Sequence, residues 1–292
     1  MPDKTPKALP TPLEDLPPRD PDQYAYFAPA GTRTPFSPRP AAGVAWANAW
    51  WLADFSLLVY CDEDRARAGL AGSGFTMQPG HFIADQGKVM IASSPDTIVV
   101  AYRGTELPHA AEGGIPGFFG TVLSSAQAWL TNTQVLLTPF DRAHPEWGKV
   151  HSGFLDSFSR IEARTRDALK SLNDERPGRA IWYTGHSLGG ALATLAAARF
   201  GNATGLYTFG CPRVGDHDFV NAFPSVPHHA RLTARGDPVP LVPASLLIPY
   251  EHIVPETPIE PADGPFTLPD VRRHAPMRYS VKLWNILAER GL

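Results

Sequence analysis

The sequence predicts an α/β fold with a mostly parallel central sheet and helices on both faces, and three observations predict it. The run Gly185-His186-Ser187-Leu188-Gly189-Gly190 follows the apolar segment Ile181-Trp182-Tyr183 directly and leads into small apolar residues, which is strand, tight turn, helix. From residue 89 onward, strand-length and helix-length apolar patterns alternate, as they do in a parallel sheet built by crossovers. The 292 residues are 43% hydrophobic and 19% charged, enough apolar material for one large core.

The elements follow in chain order. Residues 1–40 carry prolines at 2, 6, 10, 12, 17, 18, 21, 29, 35, 38 and 40, which exclude helix and leave few backbone donors. They read as an extended arm, with a single domain at 41–292. In Val44–Cys61 the residues Trp46, Trp50, Ala53, Leu57 and Tyr60 recur at spacings of three and four, a helix with one core-facing stripe. The window barely reaches spanning length and contains Asn48 and Asp54, which argues against a membrane span and for a core helix; a helix lying in a membrane interface is the sharper alternative. Val89–Ala92 and Thr97–Tyr102, separated by Ser93-Ser94-Pro95-Asp96, read as paired strands. Phe154, Phe158, Ile161, Thr165, Ala168 and Leu172 keep helical spacing, and charged residues fill the other face. Ala180–Thr184 is the strand before the turn and Gly189–Phe200 the helix after it. Gly205–Phe209 and His229–Thr233 are further strands, and Met277–Ala288 is a last helix.

Charge and cysteine content exclude some partners. A net charge of −3 without a basic block argues against nucleic acid and anionic lipid surfaces. Met1-Pro2-Asp3-Lys4-Thr5-Pro6 runs into proline and acidic residues instead of an apolar core, so a cleaved secretory signal is not expected. With only Cys61 and Cys211, neither at metal-ligand spacing, a cytoplasmic location is expected, with export by a signal-independent route as the alternative.

The Gly-x-Ser-x-Gly turn makes Ser187 the candidate nucleophile. On a nucleophile elbow the flanking glycines admit the close approach of strand and helix, and the free N–H groups of the following helix face developing negative charge. Leu188 N–H is therefore an expected oxyanion donor. A serine hydroxyl needs a histidine to take its proton and a carboxylate to orient that histidine, in the chain order serine, acid, histidine. Asp237, three residues past the strand-like Arg231–Ala234, is preferred as the acid over Asp216 and Asp218; Asp216 sits where a helix N-cap is expected. Two histidines lie downstream of it. His274 precedes a helical pattern and is preferred to His252, which lies in an apolar, extended segment.

Taken in order, Tyr102-Arg103-Gly104-Thr105, Lys149–Phe154, Gly185–Ala193, Tyr207–Gly215 and Asp237–Pro243 resemble the class 3 lipases, a family of the α/β-hydrolases. The resemblance spans about residues 89 to 290. It implies Ser187, Asp237 and His274 as the triad, a non-catalytic His252, and Thr105 beside Leu188 in the oxyanion hole. Two departures stand out. The tryptophan that closely follows the oxyanion residue in the family comes here only at Ala128-Trp129, after the insert 106–127, and Ala234 stands where the family often has asparagine. The insert holds Gly113, Gly114, Ile115, Pro116, Gly117, Phe118, Phe119 and Gly120, and reads as a mobile hydrophobic flap. Ile115, Phe118 and Phe119, together with His186, are the expected substrate-side residues. The implied activity is hydrolysis of acylglycerols or other fatty-acid esters at a lipid–water interface, with no metal or organic cofactor. Phospholipase A1 or feruloyl-type esterase activity is the enzymatic alternative, and a silent lipid-binding hydrolase fold the non-enzymatic one.

Overall fold

Side chains along the central strands alternate between two apolar layers, which fixes where the helices lie. A computed structural model of the protein describes residues 24, 26–27, 34–84, 87–104, 136–243, 249–260 and 270–291. Its strands are β1 (Phe82–Ile83), β2 (Val89–Ser93), β3 (Thr97–Tyr102), β4 (Leu137–Pro139), β5 (Lys149–His151), β6 (Ala180–His186), β7 (Gly205–Phe209), β8 (His228–Thr233) and β9 (Glu256–Pro258). The helices are α1 (Trp46–Leu58), α2 (Glu63–Gly69), α3 (Ser152–Glu175), α4 (Leu188–Phe200), α5 (His217–Ala222) and α6 (Pro276–Glu289). The main sheet runs β1-β2-β3-β6-β7-β8-β9, and β4 pairs with β5 apart from it. The β1, β2 and β3 pairings are antiparallel, and every pairing from β3 to β9 is parallel. Parallel strands covered on both faces are buried along their whole length, as β3 and β6 are. Met90, Ala92, Val99, Ala101, Trp182 and Tyr207 pack with α1 and α6, whereas Val89, Ile91, Ile98, Val100, Tyr183 and Leu206 pack with α3 and α4.

Helix α1 departs from the expected single stripe, because every residue from Asn48 to Leu58 is buried. It lies between the sheet and α6, so its polar residues need internal partners. Asn48 Nδ2 donates to Ser37 O at 2.7 Å, and its Oδ1 accepts from Ser37 N at 2.9 Å. Asp54 accepts from Phe27 N at 2.8 Å and from Tyr24 Oη at 3.0 Å. Ser56 and Thr184 share a hydroxyl hydrogen bond of 3.0 Å. The proline-rich stretch is thus pinned to the domain where it is described: Tyr24 and Phe27 are buried, and the Phe27 ring stacks on Trp51 at 5.1 Å. Prolines exclude helix but do not prevent docking, and the aromatic surface of α1 supplies the dock. Among the described residues no helix is long and apolar enough to cross a membrane.

Candidate active site

The site lies at the carboxyl ends of β6, β7 and β8, where ligands bind in parallel α/β sheets. Ser187 joins β6 to α4 with φ 58° and ψ −130°, a left-handed conformation costly for a residue with a Cβ. The flanking glycines make that turn sterically feasible. A Cβ on Gly185 would lie 2.2 Å from the Gly189 carbonyl carbon and oxygen, and one on Gly189 would lie 2.1 Å from the Tyr102 carbonyl oxygen on β3. The turn is fastened to the neighbouring strand by Ser187 N donating to Phe209 O at 3.0 Å. Leu188 opens α4, so its N–H has no acceptor within the helix.

Asp237 and His274 meet over Gly210, the residue after Phe209. His274 Nδ1 lies 3.0 and 2.9 Å from the two Asp237 carboxylate oxygens, and both side chains are almost completely buried. Gly210 has φ +56°, and a Cβ there would fall 2.8 Å from Asp237 Oδ2 and 2.9 Å from the His274 ring. Asp237 Oδ1 also accepts from Val239 N at 2.9 Å. The other nitrogen of His274, Nε2, is buried and has no hydrogen-bond partner among the described residues. The structure therefore pairs His274, and not His252, with Asp237. His252 Nε2 donates to Pro240 O at 2.8 Å, and its pKa is pushed down to about 3, by burial first and then by the Arg231 charge. Asp216 caps α5 by accepting from Phe219 N at 3.0 Å, the role its position predicts.

His186 is corrected. Expected on the substrate side, it is 2% exposed and enclosed behind the elbow, because the inward-facing end of β6 carries it into the core. Its Nε2 donates to the His274 carbonyl at 2.6 Å, and Tyr60 Oη lies 3.3 Å from its Nδ1. Burial, reinforced by His274, holds its pKa well below the ordinary imidazole value, which keeps Nδ1 free to accept. Thr105, Ile115, Phe118 and Phe119 lie outside the described residues. Among the described residues no group of three His, Cys, Asp or Glu side chains could hold a metal ion.

Sequence reasoning missed Tyr279. Its hydroxyl, fully buried on α6, donates to Asp237 Oδ2 at 2.5 Å and accepts from Ala234 N at 3.0 Å. Burial and the adjacent carboxylate raise its pKa well above the ordinary phenol value, so it remains a donor. A hydrogen bond to a charged group contributes about 1.5–3 kcal/mol. Tyr279→Phe should therefore lower kcat about tenfold with KM little changed, and steady-state kinetics showing an unaltered kcat would remove Tyr279 from the site.

Two half-buried neutral histidines also set an acid limit on stability. Burial, with Arg231 second, lowers the pKa of His229 to about 4, and His252 stands lower still. The unfolded chain takes up protons at about 6.5 while these native rings do not, so protonation favours unfolding. Their contribution is present above about pH 6.5 and is lost as the pH falls toward 4. The Tm should drop by several degrees over that window, and less in a His229→Gln/His252→Gln double variant; equal slopes would show that these rings are not the cause.

An elbow at the end of a parallel strand, with a buried carboxylate–histidine pair at the ends of the next strands, is the arrangement of the α/β-hydrolase fold. The comparisons refine this. Residues 117–247 match the model of the class 3 lipase family. The chain is 36% identical over 129 residues to secreted mono- and diacylglycerol lipase 1 of Fusarium solani, covering 42% of this chain and 38% of that one. It is 32% identical over 108 residues to secreted mono- and diacylglycerol lipase A of Penicillium cyclopium, covering 36% and 35%. The chain thus spans well under half the length of these curated relatives. Among solved structures, the Rhizomucor miehei lipase propeptide complex superposes with a TM-score of 0.59 at 22% identity over 84% of this chain and 82% of that one. The lipase of Rhizopus microsporus var. chinensis does so with a TM-score of 0.58 at 24% identity over 81% and 90%. At these identities the likeness shows the fold alone. Two of these relatives are named as secreted, which overturns the cytoplasmic expectation. Two unpaired cysteines and a polar first segment were too weak a basis for naming a compartment.

Proposed function

We propose that the protein is a serine ester hydrolase acting on acylglycerols. The observation that carries this reading is the buried Asp237–His274 pair on Gly210, one residue beyond the carbonyl that anchors Ser187. Ser187 Oγ attacks the ester carbonyl while His274 Nε2 takes its proton, and Asp237 stabilises the imidazolium. The tetrahedral oxyanion is held by Leu188 N–H and by Thr105. Gly104, the residue before Thr105, lies against Ser187, which supports that second assignment: a Cβ on it would be 3.3 Å from Ser187 Cβ. His274 then protonates the departing alcohol, and water cleaves the acyl-enzyme by the same steps reversed.

The acylglycerol assignment is supported by relatives named as mono- and diacylglycerol lipases and by the apolar residues Ile115, Phe118 and Phe119 after the oxyanion position. A panel of esters of rising acyl length tests it, with preference for longer chains expected and confinement to short soluble esters overturning it. If the segment 106–127 is a flap that a lipid surface opens, the rate should jump several-fold as a sparingly soluble ester passes its solubility limit. Replacing Phe118 and Phe119 with serine should weaken the jump and spare a short soluble ester. Ordinary saturation in the wild type through the solubility limit would remove the flap.

A further inference from the structure

His186 sits where the parts of the site converge. It is the last residue of β6 and is joined directly to Ser187, so its ring moves with the elbow. That ring packs against both His274 and the tyrosine that serves Asp237, with its centroid 4.3 Å from the His274 ring and 5.7 Å from the Tyr279 ring. Packing alone would be served by a phenylalanine, which offers no N–H. The hydrogen bonds of the imidazole are what a phenyl ring could not supply.

His274 closes the short turn Val271–His274, and α6 starts only at Pro276, with Arg278 N bonded to Ala275 O at 3.0 Å. The His274 carbonyl is thus left outside the helix, and His186 Nε2 donates to it at 2.6 Å. A neutral imidazole that donates from Nε2 accepts at Nδ1, and Tyr60 Oη stands 3.3 Å from that nitrogen. The Gly104 backbone hydrogen-bonds the same hydroxyl, and a Cβ on Gly104 would run into it and into His186 O. Gly104 directly precedes Thr105. One chain of hydrogen bonds therefore runs from the approach to the oxyanion position, through Tyr60 and His186, to the backbone of His274. Burial keeps the His186 ring neutral, so it sets no second positive charge beside the imidazolium that forms on His274.

We propose that His186 is a positioning residue for this hydrolysis: its Nε2–H on the His274 carbonyl, with Nδ1 held by Tyr60, fixes the His274 ring in reach of Ser187. This role rests on the ester hydrolase reading and involves no contact with substrate. Proton transfer depends steeply on where the His274 ring stands, and a displacement of about 1 Å can cost on the order of 100-fold in rate. Turnover should be measured per working site, counted with a p-nitrophenyl phosphonate that modifies Ser187, so that unfolded molecules drop out. On that scale His186→Phe should lower kcat by roughly 30- to 100-fold with KM little changed. His186→Gln, whose amide N–H can reach the same carbonyl, should recover most of the loss. Tyr60→Phe should lower kcat about fivefold, the worth of one neutral hydrogen bond, and with His186→Gln carries the test if His186→Phe does not fold. A kcat in His186→Phe within about threefold of wild type, equal losses in the Gln and Phe variants, or an unchanged kcat in Tyr60→Phe would overturn the proposal. With Ser187→Ala inactive beside them, those results leave the hydrolase reading standing. A wild type that neither cleaves esters nor takes up the phosphonate would instead remove that reading and the role of His186 with it.

Discussion

Ser187→Ala should lower kcat for ester hydrolysis by on the order of 10⁴- to 10⁶-fold while the fold survives. The loss follows from chemistry alone. Alanine keeps the Cβ that the elbow already accommodates at φ 58°, and removes only the oxygen that forms the acyl-enzyme. Ser187 is almost fully buried, and its backbone N still bonds Phe209 O in the variant, so the turn between β6 and α4 keeps its fastening. The Tm should accordingly stay within a few degrees of the wild type. Residual rate should be measured on purified variant with a chromogenic ester, beside a melting curve. Turnover within tenfold of wild type in a folded sample would exclude Ser187 as nucleophile, and with it the mechanism above.

What the sequence made legible follows what local pattern can encode. The elbow was readable because two glycines bracket one serine between a strand pattern and a helix pattern, and the overlaps a Cβ would create at Gly185 and Gly189 show why no other residue fits there. Helix α3 and strands β2, β3, β6 and β7 were readable from periodicity, with ends displaced by a residue or two. Strands β1 and β9, two and three residues long, carry no periodicity of their own and exist only through pairing with β2 and β8. The all-round burial of α1 was hidden for a different reason. Asn48, Asp54 and Ser56 carry no local sign of being buried, and their partners Ser37, Tyr24, Phe27 and Thr184 lie elsewhere in the chain. Tyr279 escaped likewise, being one aromatic residue among the apolar positions of α6, 42 residues from the carboxylate it serves. Partners set by tertiary packing leave little trace in local spacing, so Asp237 and His274 stood out by chain order and by the strand and helix patterns beside them, while Tyr279 did not.

The two downstream histidines give the sharpest contrast. His274→Ala should reduce kcat by a factor comparable to the Ser187 variant, on the order of 10⁴ or more, because no other ring nitrogen among the described residues stands on Asp237. His252→Ala should stay within about tenfold of wild type. Its Nε2 is committed to Pro240 O, and burial with the neighbouring Arg231 pushes its pKa down to about 3, far below what a base working near neutral pH requires. Losing that hydrogen bond loosens the segment after Asp237, so the cost should appear chiefly in Tm. A structural role and a chemical role thus separate into different measurements on the same pair of variants. Kinetics on both proteins, each shown to be folded, decide between them. If His252→Ala abolishes turnover and His274→Ala retains it, the pair on Gly210 is not the catalytic one.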